Sequence, residues 1–225
     1  MNKFTLPEHR ANQILSRSMF DNETVLLGKR LGILHIQSPD TSPSVLRMLI
    51  GYRGDIKLPS EFEWVRPLLD LSITELEKIN IRMPYIYLTV RHNFYTKNAT
   101  EWHVDGYSER VSHLPEHNFL WSDTGGTEVK EGRATLPDYF NPRVHNINNH
   151  LMFADDTVIT TLRPNEVFWF DPYVLHKAPD DEDVRRTVVR ISHLPIEIDD
   201  INNTQNPELP RTYSYDGLAF RNSLQ

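Results

Sequence analysis

The feature that most constrains this chain is the change of character at Pro84. Before it, apolar residues recur at mixed spacing. After it, Tyr85 to Tyr95 (YIYLTVRHNFY) is rich in aromatic and β-branched residues, which reads as a long strand. Further short runs of the same kind follow, separated by turn residues: Asn118–Asp123, Thr127–Lys130, Thr157–Leu162, Glu166–Phe170, Val174–Ala178 and Arg186–Ser192. Arg163-Pro164-Asn165 supplies a turn between two of them, and Lys97-Asn98-Ala99 supplies another. Fifteen prolines suit short strands between turns better than long helices. Upstream, residues 8–20 are expected to form a helix, Thr24–Leu27 and Leu31–Ile36 short strands, Ser44–Tyr52 a second helix opened by Pro43, and Ile73–Ile79 a third. Asp55–Pro67 reads as irregular and 132–150 as a long polar loop. Helices first and many short strands afterwards point to a double-sheet jelly roll with helices against one sheet. The expected fold is therefore mainly β with N-terminal helices and a double-stranded β-helix core. We read 1–225 as a single domain: a support region over 1–83, the core over 84–194 and a polar tail over 195–225.

Composition narrows the chemistry. At 39% hydrophobic residues the chain can bury a sizeable core. It has no cysteine, so disulfides, thiolate metal sites and cysteine nucleophiles are all excluded, and a metal would have to be held by His and carboxylate. A net charge of −7 argues against non-specific binding to a phosphate backbone. No apolar run approaches the length of a membrane span, and nothing near the N-terminus reads as a signal peptide, so a soluble cytoplasmic protein is expected.

Against this background Glu101-Trp-His-Val-Asp-Gly106 stands out. His103 and Asp105 are two apart, and on a strand residues i and i+2 share a face, so both can reach one metal ion. His176, in Asp171-Pro-Tyr-Val-Leu-His-Lys, is the best third ligand. Two histidines and one carboxylate on one face of a metal leave coordination positions open, the arrangement used by non-haem Fe(II) oxygenases. Downstream, Arg186, Val188 and Arg190 share one face of the last strand, and Arg185 falls on the other. Thr89 and Arg91, on the strand before the H-x-D pair, and Trp121, Ser122 and Asp123 after it are candidate pocket residues. The other histidines are read as structural, Asp180–Asp183 as a solvated loop and Gly125-Gly126 as a turn.

Taken together, H-x-D, a distal His and arginines on the next strand resemble the Fe(II)/2-oxoglutarate-dependent dioxygenase superfamily over residues 84–194. His176 follows His103 by 73 residues (176 − 103), and Arg186 and Arg190 follow His176 by 10 and 14. The resemblance implies His103, Asp105 and His176 as Fe(II) ligands, with 2-oxoglutarate as cosubstrate and O₂ as oxidant. It also implies a basic residue holding the far carboxylate of 2-oxoglutarate. The spacing and the Arg190-Ile-Ser192 ending favour Arg190 for that role, with Arg186 assisting or contacting substrate; Thr89, Arg91 and Trp121 are secondary candidates for cosubstrate contacts. A small molecule, such as a free or carrier-linked amino acid, is the favoured substrate. A nucleobase or peptide side chain is the alternative, although a nucleic-acid partner is not favoured. Two readings of other classes remain: a cupin-like metal- or ligand-binding protein, and a zinc hydrolase with a bound water as nucleophile.

Overall fold

The computed structural model describes residues 24–26, 28–95, 101–103, 116–140, 145, 149–170, 174–179, 184–198 and 203–209. The predicted helix over 8–20, the turn at 97–99, Asp105 and the acidic run Asp180–Asp183 lie outside these residues.

The protein is mainly β. Twelve described strands form two antiparallel sheets: β1 Thr24–Leu26, β2 Lys29–Ile33, β3 Val45–Tyr52, β4 Asp55–Ile56, β5 Tyr85–Tyr95, β6 His117–Ser122, β7 Glu128–Thr135, β8 Met152–Phe153, β9 Val158–Thr161, β10 Glu166–Phe170, β11 Leu175–Lys177 and β12 Arg185–Leu194. The larger sheet runs β2-β10-β6-β12-β5-β3-β4. The smaller is built on β7, which pairs with β1, β8, β9 and β11. From β6 onward the chain passes repeatedly between the two sheets, the winding of a double-stranded β-helix. No described helix is long and apolar enough to cross a membrane.

Two-residue periodicity divides the larger sheet into two environments. On one face Ile86, Leu88, Val90, Phe119, Trp121, Val167, Val189 and Ile191 pack with Leu68, Leu69 and Leu76 of helix α1, Arg66–Lys78. The other face meets the smaller sheet, where Leu120, Phe168 and Phe170 pack on Val129, Leu162 and Val174. At Gly125, φ is +70° and a Cβ would stand 2.5 Å from the Arg163 carbonyl carbon, so the turn entering β7 needs glycine.

Three segments differ from expectation. Val45–Tyr52 is a strand, not a helix. It pairs with β5 and buries Val45, Met48 and Ile50 toward α1, while Leu49 packs with Tyr87 and Leu194 behind it. Register shifts between Val45 and Met48 and between Leu49 and Gly51, with Arg47 at φ 44°, break the alternation. A strand apolar on both faces loses its two-residue signature and imitates helical spacing. Conversely, α1 begins at Arg66 rather than Ile73, because Pro67 sits in the first turn, where its missing N–H costs nothing. β7 also continues to Thr135, into the segment read as loop.

The helix is tied to the sheet by a buried polar contact. Ser72 Oγ donates to Leu69 O at 2.7 Å and so receives the proton on His193 Nε2, 2.8 Å away. Burial, with a smaller contribution from neighbouring His117, lowers the His193 pKa from its ordinary 6.5 to about 3. The folded state thus prefers the neutral ring, and the unfolded chain takes up the proton first. This stabilisation is complete above about pH 6.5 and is lost as pH falls toward 3. Denaturant unfolding from pH 7.5 to 4.5 is expected to show stability falling below pH 6.5 by up to about 1.4 kcal/mol per unit from this group. His193→Leu should remove one proton's worth of that slope; an unchanged slope would assign the acid sensitivity elsewhere.

Candidate metal centre

β11 pairs with β7 so that His176 stands opposite Val129, which is fully buried between the sheets. His176 therefore points into the inter-sheet space and is 7% exposed. His103 forms an antiparallel bridge with His176, with N–H to O distances of 3.0 Å and 2.9 Å in the two directions. Residues directly opposite on paired strands project to the same face, so both imidazoles enter the interior together. Their ring centroids are 4.5 Å apart, at 53° to each other, and Phe170 lies 4.7 Å from the His176 ring.

Each ring is oriented by its own strand. His103 Nδ1 lies 2.9 Å from Glu101 O, and His176 Nδ1 lies 3.1 Å from Val174 O. A backbone carbonyl can only accept, so in each case Nδ1 carries the proton, and in the neutral ring Nε2 carries the lone pair. This is how proteins fix a histidine for metal binding: the nitrogen away from the metal donates to a carbonyl, which sets tautomer and angle. Among the described residues no group of three His, Asp or Glu side chains assembles in metal-binding geometry. Asp105, the expected third ligand, lies outside them.

The facing sheet contributes cationic and hydrogen-bonding groups. Val188 packs into the inter-sheet cluster, so Arg186, Arg190 and Ser192 on the same face of β12 also look inward. Arg186 is 4% exposed. Its Nη2 donates to Thr127 Oγ1 at 3.2 Å, while Nε and Nη1 are buried with no hydrogen-bond partner among the described residues. Burial pulls its pKa down to about 10, against the opposing effect of Asp123. On neighbouring β6, Asn118 Nδ2 and Ser122 Oγ are likewise buried without a hydrogen-bond partner among the described residues. Ser192 Oγ donates to Asn118 Oδ1 at 2.5 Å. Unsatisfied buried donors are rare because each costs about 1–3 kcal/mol, so their concentration on one inward face marks a place suited to an acceptor-rich, anionic ligand.

The other sequence candidates fall differently. Arg190 is half-buried, opposite Leu120 and Thr89. Thr89 looks inward, but its Oγ1 accepts the Arg47 N–H at 3.1 Å, so it closes the irregularity of β3. Arg91 is exposed and lies 5.6 Å over the Phe94 ring, near the end of β5. Trp121 is on the opposite face, fully buried under α1, with Nε1 donating to Leu34 O at 2.9 Å; it is a core residue. Asp123 Oδ1 accepts the Thr187 N–H at 2.8 Å. Arg185 is exposed, 4.7 Å over Tyr95. Thr127 and Asn118 were not singled out by sequence. The signal for Asn118 was its parity with Leu120 and Ser122; nothing in the sequence ties Thr127 to Arg186 across 59 positions.

No protein-family model matches the chain, and no curated protein sequence is similar to it. Several solved structures are similar at low identity. EvdO2 from Micromonospora carbonacea var. aurantiaca, complexed with 2-oxoglutarate, is 14% identical over 78% of this chain and 80% of its own, with a TM-score of 0.34. AviO1 from Streptomyces viridochromogenes Tue57 is 15% identical over 90% and 89%, with a TM-score of 0.35. E. coli ycfD is 12% identical over 100% and 61%, with a TM-score of 0.32.

The tautomer assignment is directly testable. Long-range ¹H–¹⁵N NMR of the imidazoles above pH 8, without metal, is expected to give a protonated Nδ1 and an unprotonated Nε2 for both His103 and His176. Nε2–H tautomers would mean that these rings are not prepared for a metal.

Proposed function

We propose that the chain is an Fe(II)- and 2-oxoglutarate-dependent oxygenase that oxidises a C–H bond, usually to the alcohol, with release of succinate and CO₂. The observation that carries the reading is the pair of bridged, inward-facing imidazoles whose Nδ1 atoms both donate to carbonyls. The buried donors across the inter-sheet space support it, because a keto acid brings the carboxylate oxygens they lack.

His103 and His176 would hold the metal through Nε2, with Asp105 as the carboxylate that H-x-D spacing would bring to the same face of a strand. Bound iron supplies the activation of O₂, with 2-oxoglutarate giving up two electrons as it loses CO₂. Phe170 packs against the buried His176 ring and shields it from water. Arg186 would hold the far carboxylate of 2-oxoglutarate, with Thr127 steering the guanidinium. Its deeper burial and its contact with Thr127 favour it over Arg190, which we assign a second contact on the same face, to cosubstrate or substrate. The substrate we favour is a small molecule such as a free or carrier-linked amino acid, with a nucleobase or peptide side chain as the other class. A zinc hydrolase or a cupin-like binding protein has no comparable use for a buried guanidinium facing the metal ligands.

Anaerobic addition of Fe(II) and then 2-oxoglutarate is expected to give the weak visible charge-transfer band of a chelated keto acid. His176→Ala should abolish it. Arg186→Met should raise the 2-oxoglutarate concentration for half-saturation by roughly ten- to a hundredfold, the loss of a charge-assisted hydrogen bond of about 1.5–3 kcal/mol. Arg190→Met should have the smaller effect. Iron binding by the wild type without any such band would overturn the assignment.

A further inference from the structure

Residues 101–103 are attached to β11 by only two backbone hydrogen bonds among the described residues, both between His103 and His176. Two such bonds do not fix a register by themselves. On the far side of the smaller sheet, away from the imidazoles, a second contact exists. The bridge places Trp102 opposite Lys177, and pairing of β11 with β7 places Lys177 opposite Glu128 and Leu175 opposite Lys130. Alternation puts all five side chains on the outer face. There two ammonium groups lie against the Trp102 ring: Lys130 Nζ is 4.7 Å from its centroid and Lys177 Nζ is 5.6 Å from it. Lys130 Nζ is also 4.9 Å from the Phe153 ring, so one cation joins two aromatic faces. Glu128 Oε2, 3.1 Å from Lys177 Nζ, offsets the repulsion between the lysines. The Lys177 side chain is only 14% exposed, so these cation–π contacts are partly shielded from water, which strengthens them. Beneath them Trp102 packs on Ala134, Leu136, Phe140 and Leu175.

We propose that Trp102 is a positioning residue for the metal centre: clamped by Lys130 and Lys177, it fixes the register and angle at which His103 meets His176. This rests on the metal-binding reading above. The residue before His103 and the residue after His176 thereby touch on the outer face, while the imidazoles meet on the inner one. The pairing is thus held on both faces of the sheet, by the bridge with its imidazoles and by the outer contact beside it. Without the clamp, the Glu101 carbonyl that orients the His103 ring is free to swing with its strand.

The test uses the full chain and Co(II) as a redox-stable probe, titrated by visible absorption at a temperature where each variant is folded by circular dichroism. Trp102→Ala is expected to weaken Co(II) binding by roughly ten- to a hundredfold, the range seen when outer-shell support of a metal ligand is removed. Trp102→Phe, which keeps an aromatic face, should recover most of it, and the Lys130→Met/Lys177→Met pair should lose part. Amide exchange at His103 and His176, measured without metal, should quicken in Trp102→Ala. If Trp102→Ala does not fold, the lysine pair decides: weakened Co(II) binding supports the proposal and unchanged binding overturns it. Wild-type Co(II) affinity in a Trp102→Ala protein that merely melts earlier would also overturn it and leave the metal centre standing. Failure of the wild type to bind Co(II) would remove the metal centre and this inference together.

Discussion

The arrangement depends on one strand being paired along both edges. β12 runs between β5 and β6, nine of its ten residues in register with β5 and six with β6. A strand held on both sides cannot slip by one residue without turning every side chain to the wrong face. That constraint assigns Val189 and Ile191 to the core under α1, and Arg186, Val188, Arg190 and Ser192 to the inter-sheet space. The cost of burying a guanidinium is borne by this pairing. Arg186 stays in a largely apolar interior because turning it outward would bring Val189 and Ile191 out of theirs.

The two halves of the candidate site therefore sit on different supports. The donors Arg186, Ser122 and Asn118 belong to strands in the middle of the seven-stranded sheet, which is backed by the larger of the apolar cores. The imidazoles belong to a three-residue strand and a single bridge on the smaller sheet, whose backing is a cluster of four buried residues. Low dielectric between the sheets strengthens what the donors can do for an anion. It also makes them costly when nothing accepts from them, which is why a preformed, partly unsatisfied face is informative about ligand chemistry.

How far the sequence reveals this follows from periodicity. Tyr85–Tyr95 and Glu166–Phe170 are strands with the bounds read from sequence, because aromatic and β-branched residues dominate both. Parity also gave the common face of Arg186, Val188 and Arg190. The same rule applied to β6 would have set Trp121 with Phe119, on the face opposite Leu120; its position soon after the H-x-D pair suggested a pocket that its parity denies. β3 resembles a helix in sequence because burial on both faces and two register shifts erase the period that distinguishes strand from helix. The contact of Thr127 with Arg186 and the lysines about Trp102 had no sequence signal. They arise from pairing between distant strands, and cross-strand neighbours are legible only once the register is known.

The difference in support has a kinetic meaning. Stability is not uniform across a fold, and segments held by few buried contacts open locally at a small fraction of the global free energy. The 101–103 segment, with one bridge and one clamped ring, lies at the low end, whereas β12 lies at the high end. Local opening at His103 would loosen one of the two proposed metal ligands while Arg186 and its neighbours kept their places. A metal held as proposed would then be lost far more easily than the inward donor face, and the resistance to that loss would reside on the outer surface of the smaller sheet, in a tryptophan and two lysines on the face away from the imidazoles.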